Sequence, residues 1–71
     1  MTKSEFLLRV PDIINDSEHG YGELEIVSNT KGAKGVCYRH KDNLASGGNY
    51  AASWDQLYIK IMEYLKNRGC V

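Results

Sequence analysis

Residues 53–69 read Ser53-Trp54-Asp55-Gln56-Leu57-Tyr58-Ile59-Lys60-Ile61-Met62-Glu63-Tyr64-Leu65-Lys66-Asn67-Arg68-Gly69. Trp54, Leu57, Tyr58, Ile61, Met62 and Leu65 recur at three- and four-residue spacing, the period of one face of an α-helix. Ser53 and Gln56 fit a capping box, in which the Ser53 hydroxyl accepts from the Gln56 N–H and the Gln56 side chain reaches back. Asp55 near the start and Lys66 and Arg68 in the last turn match the helix dipole. Gly69 is placed to end the helix. The stretch predicts a long C-terminal helix over about 54–68, whose apolar stripe needs a second layer to cover it.

The residues before it supply that layer. Glu23 to Ser28 alternates, with Leu24 and Ile26 on one face and Glu23, Glu25 and Val27 on the other. Residues 29–35 carry two glycines and read as a turn. Val36, Tyr38 and His40 then share one face of a second strand, and Cys37, Arg39 and Lys41 the other. The two strands predict a β-hairpin over about 23–41. Asp42-Asn43 marks another turn. Within residues 44–52, around Gly47-Gly48, a short third strand is expected. At the other end, Ser4 is expected to cap a short helix carrying Phe6, Leu7, Val10, Ile13 and Ile14. Pro11 kinks or breaks that helix, because proline removes a backbone donor and clashes with the preceding turn. The sum is a segregated α+β domain over residues 1–71: a short N-terminal helix, an antiparallel sheet of two or three strands, and a long helix laid on one sheet face.

Composition bounds the function. A chain of 71 residues with 42% hydrophobic and 25% charged residues is that of a folded globular domain. A domain this small has a thin core and little room for an enclosed active site. The longest apolar run near the start, Phe6-Leu7-Leu8, stops at Arg9 and is too short for a signal peptide or a membrane span. Two cysteines, Cys37 and Cys70, are too few for a disulfide framework. Reduced thiols, a cytoplasmic location and no membrane are therefore expected. A size this small fits, by association, the genes of phages and mobile elements.

Chemistry-bearing residues are sparse. His19, Cys37, His40 and Cys70 could in principle bind zinc, but Cys37 and His40, three apart on a strand, point to opposite faces. No metal and no cofactor is expected. Cys37 with a histidine lacks the strained turn and oxyanion loop of a nucleophile site. Glu23 and Glu25 share a strand face, and an exposed acidic sheet accounts for them. Gly32-Ala33-Lys34-Gly35 has the letters of a nucleic-acid-clamping GxxG loop but joins strands, where KH domains join helices. These patterns point away from an enzyme and from a small-molecule substrate.

Charge and aromatic placement suggest binding. Net charge is zero, yet residues 1–25 are acidic and residues 31–41 carry four bases and no acid. Lys31, Lys34, Arg39 and Lys41, with Tyr38 among them, could meet phosphates and stack on bases. The order of elements is loosely like that of double-stranded RNA-binding domains. The last helix, however, opens Ser53-Trp54-Asp55, where that family presents lysines. Tyr50, and Ile59 and Tyr64 off the main helix stripe, offer surplus apolar surface of the kind found at protein contacts. The first expectation is a non-enzymatic regulator, adaptor or inhibitor that binds another protein or a second copy of itself. The second is a nucleic-acid-binding domain that uses hairpin 31–41.

Overall fold

The structure, a computed structural model, describes residues 1–16, 18–28, 32–40 and 49–70. Its elements are α1 (Lys3–Arg9), β1 (Ile13–Asp16), β2 (Gly20–Ser28), β3 (Lys34–His40), β4 (Asn49–Ala51) and α2 (Trp54–Asn67). The strands form one antiparallel sheet in the order β1-β2-β3-β4. The α+β class stands, and among the described residues the sheet has four strands where two or three were expected.

The added strand is β1, which the helical spacing of Ile13 and Ile14 had assigned to a kinked helix. Proline decides the outcome. The residue before a proline is forced out of the helical region, and Val10, at φ −99° and ψ 147°, closes α1 in extended backbone. Beyond Pro11 the burial alternates residue by residue, as a strand requires. The N-cap also moves, from Ser4 to Thr2. Thr2 accepts from the Glu5 N–H at 3.2 Å and Glu5 accepts from the Thr2 N–H at 3.0 Å, a complete capping box. The expected third strand is found as β4; residues 41–48, with the Asp42-Asn43 turn and Gly47-Gly48, lie outside the described residues, as do residues 29–31 of the hairpin turn.

Helix α2 follows the sequence closely. Ser53 Oγ accepts from the Gln56 N–H at 3.3 Å, but the expected return bond from the Gln56 side chain to the Ser53 N–H is not formed, so the cap is half of a capping box. At the far end Gly69 adopts φ +71°, and the Cys70 and Gly69 N–H groups donate to the Leu65 and Lys66 carbonyls. This is a Schellman motif, which glycine enters without steric cost. Leu57, Ile61 and Leu65 are buried.

The two helices pack on one sheet face. Phe6, Val10, Ile14, Val36, Tyr38 and Ala51 join the three α2 residues in the core. Phe6 and Trp54 lie with ring centroids 5.1 Å apart, and the N-terminal ammonium pairs with Asp55, so α1 docks on the start of α2. The register puts Ile13, Asn15, Tyr21, Glu23, Glu25, Val27, Gly35, Cys37, Arg39 and Tyr50 on the opposite face, which neither helix covers.

Two glycines are fixed by rings across the strands. Gly22 pairs with His40, and a Cβ on Gly22 would sit 2.7 Å from the His40 ring. Gly35 pairs with Tyr50, and a Cβ there would sit 2.5 Å from the Tyr50 ring. Each ring fills the gap its glycine leaves, one on each side of the sheet.

Candidate functional site

Strand alternation turns Asp16 and His40 inward, where both side chains are inaccessible to solvent. Asp16 Oδ1 accepts from the Glu18 and His19 N–H groups at 2.6 and 2.9 Å, so the carboxylate shapes the β1–β2 connection. Asp16 Oδ2 accepts from Arg68 Nη1 at 3.2 Å; the same nitrogen donates to Glu18 Oε2 at 2.9 Å. Burial pushes the Asp16 carboxyl up. The His19 and Glu18 amides and the Arg68 guanidinium outweigh it and hold the group below its ordinary value. Arg68 also lies 4.9 Å over the Tyr64 ring, which stacks in turn on Tyr38. One cation thus joins the first turn of the sheet to the end of α2.

His40 Nδ1 is 3.0 Å from the Tyr21 carbonyl, which assigns the neutral-ring proton to Nδ1. His40 Nε2 stands 3.9 Å from Asp16 Oδ2, too far for a hydrogen bond. Nε2 and the Tyr64 hydroxyl are buried without hydrogen-bond partners among the described residues. The His19 and His40 rings are 5.2 Å apart, a proximity that sequence spacing did not indicate. The cluster braces β2 from behind: the His40 ring fills the space over Gly22 and holds the backbone of Tyr21.

Neither cysteine gives this cluster an activated thiol. Cys37 lies on the other face, and burial, then Glu25, push its thiol up. Burial, then Asp16, push up Cys70 as well. A reactive thiol needs the opposite shift. Among the described residues no group of three or more His, Cys, Asp or Glu side chains could hold a metal ion. No helix there is long and apolar enough to cross a membrane.

The open sheet face is the accessible surface in front of the brace. Ile13 and Tyr21 are 56% and 47% exposed, and Tyr50 is exposed across the sheet. Tyr21 donates to Glu23 Oε1 at 2.8 Å, a bond that pushes its phenol above the ordinary value. Arg39 spends two donors on Glu25, from Nε and, at 2.9 Å, from Nη2. A shallow pocket of about 240 Å³ opens between Tyr21, Glu23, Arg39 and His40.

The residues singled out in the sequence scatter over this framework. Tyr50 is on the open face. Ile59 is 59% exposed on α2, on the helical side of the molecule. Tyr64, expected at an interface, is half-buried against the core, because its ring is held between Tyr38 and Arg68. Tyr38, expected to stack on bases, is a core residue whose hydroxyl donates to the Pro11 carbonyl at 2.8 Å. Lys34 starts β3 and is half-buried; Lys31 and Lys41 lie outside the described residues. The sequence pattern did not single out Asp16, His40 and Arg68 as a group, nor Ile13 and Tyr21 as exposed partners. Comparison with protein-family models, curated proteins and solved structures found no match to this chain.

Proposed function

We propose that this chain is a small non-enzymatic binding protein that acts through protein–protein contact, with the open sheet face as its contact surface. The observation that carries the proposal is a sheet with helices on one face and exposed Ile13, Tyr21 and Tyr50 on the other. Tyrosine gives large rigid contact area at low entropic cost and is enriched among residues that dominate binding energy. The His40 brace supports rigidity, because Tyr21 is displayed from a strand whose backbone is fixed from behind. Roles as regulator, adaptor or inhibitor all fit such a surface.

The described part of this face favours the protein reading over the nucleic-acid alternative, whose Lys31 and Lys41 lie outside the described residues. Arg39 is matched by Glu25, Glu23 adds a second negative charge, and the Tyr38 ring is in the core. Phosphate binding calls for uncompensated cations.

The test is capture of a partner from nuclease-treated lysate by the full chain, beside Ile13→Asp and Tyr21→Ser variants shown by melting to be folded. Capture that survives nuclease and is lost in both variants is expected. Capture that needs intact nucleic acid, or that both variants retain, overturns the proposal. Light scattering on the purified chain reports whether the partner is a second copy.

A further inference from the structure

We infer that the partner presents a cationic side chain, arginine or lysine, flanked by apolar residues, and that this cation is received by Glu23 beside the Tyr21 ring. The inference rests on the open face being the contact surface.

The edges of the sheet are poorer docking sites than its face. At β4 the Tyr50 carbonyl is taken by Lys60 Nζ at 2.6 Å. At β1 the edge is four residues long, and Cys70 Sγ lies 4.0 Å from the Asn15 carbonyl. A face-on partner meets a defined charge pattern. Glu23, Glu25 and Arg39 are the carboxylate and cationic side chains that the described strands turn to this side. Arg39 and Glu25 compensate one another through two hydrogen bonds. Glu23 forms no ion pair among the described residues, because Arg39, which stands across from it in the register, gives its guanidinium to Glu25.

The Glu23 carboxylate is already oriented. The Tyr21 hydroxyl holds Oε1, which leaves the remaining lone pairs of the group for a donor from outside. A guanidinium or ammonium could meet the carboxylate through a charge-assisted hydrogen bond and lie against the aromatic ring. The pocket between Tyr21, Glu23, Arg39 and His40 is of side-chain size. Exposed Ile13, directly across from Glu23 in the β1–β2 register, supplies apolar contact next to the charge.

Charge also separates the competing occupants. In a symmetric pair of this face, each copy would bring its surplus negative charge to the other. A phosphate backbone would bring more of the same sign. A basic segment alone meets the face with the opposite charge.

The experiment is selection of a displayed random peptide library on the immobilised full chain. Selected peptides are expected to carry Arg or Lys between apolar residues. Their affinity should fall about tenfold on Glu23→Gln, the loss of one charge-assisted contact. It should weaken with added salt and stay unchanged on Glu63→Gln, an exposed acid of α2. Selected peptides without a basic residue that still lose binding on Ile13→Asp would overturn the cationic chemistry and leave the face as the contact surface. An unenriched library, or peptides insensitive to both Glu23→Gln and Ile13→Asp, would overturn both.

Discussion

Gly22 and Gly35 show how a single residue is dictated by what lies across the sheet. Both lack a side chain because a ring occupies its place, yet the two rings differ in freedom. His40 is buried and fixed at Nδ1 by the Tyr21 carbonyl, whereas Tyr50 is exposed and can rotate outward. Gly22→Ala is therefore expected to cost about 1–3 kcal/mol, as for overpacking of a closed site. Gly35→Ala should cost less, because Tyr50 can yield. Urea melts of the two variants check the order; equal losses would mean that the rings are equally free. The same contrast places Tyr38 and Tyr64. Each has one charged neighbour in sequence, Arg39 and Glu63, but only the packed structure shows that one ring is stacked on the other at 6.4 Å between centroids.

At the scale of an element, α2 is the piece on which the rest is assembled. It contributes Leu57, Ile61 and Leu65 to the core, receives α1 at its start, and holds Asp16 through Arg68 at its end. Leu57→Ala or Ile61→Ala is expected to cost about 2–5 kcal/mol, the range for deleting buried aliphatic groups. In a domain of this size, with a total stability of about 3–5 kcal/mol, either change should leave much of the chain unfolded. Ser53→Ala should cost about 1 kcal/mol through the lost cap. Denaturant melts measure all three, and losses under about 0.5 kcal/mol at Leu57 and Ile61 would contradict their place in the core. Helix α1 is only seven residues long, too short to persist alone. Its capping box and the docking of Phe6 on Trp54 account for it.

At the scale of the molecule, Asp16 ties the β1–β2 connection to the C-terminal end of α2 and makes stability depend on pH. Its carboxyl is held below its unfolded value, so its contribution is complete above that value and is lost as pH falls through the lower, folded one. The contribution therefore disappears in acid, below about pH 4. Thermal melts across this range should show a steep loss of stability for the wild type and a shallower one for Asp16→Asn, which is already less stable at neutral pH. Parallel curves would show that the carboxylate does not carry the acid transition. Glu25 and Glu5, also lowered by their hydrogen-bond partners, act in the same direction. They are exposed to solvent, where screening reduces the effect.

Helix α2, its cap, the alternation of β2 and β3 and the opposite facing of Cys37 and His40 were legible in the sequence. Each is set by local periodicity or by one hydrogen bond to a near neighbour. The tertiary structure decided what periodicity leaves open. Ile13 and Ile14 lie at helical spacing from Phe6 and Val10 and become a strand, because Pro11 breaks the helix and the edge of β2 offers its hydrogen bonds to them. Asp16, His40 and Arg68 are up to 52 residues apart, and no sequence period relates them. Their convergence depends on sheet register and on where α2 ends. The open face, too, exists only once both helices have settled on the same side: alternation fixes which residues share a face, and packing fixes which face the helices leave uncovered.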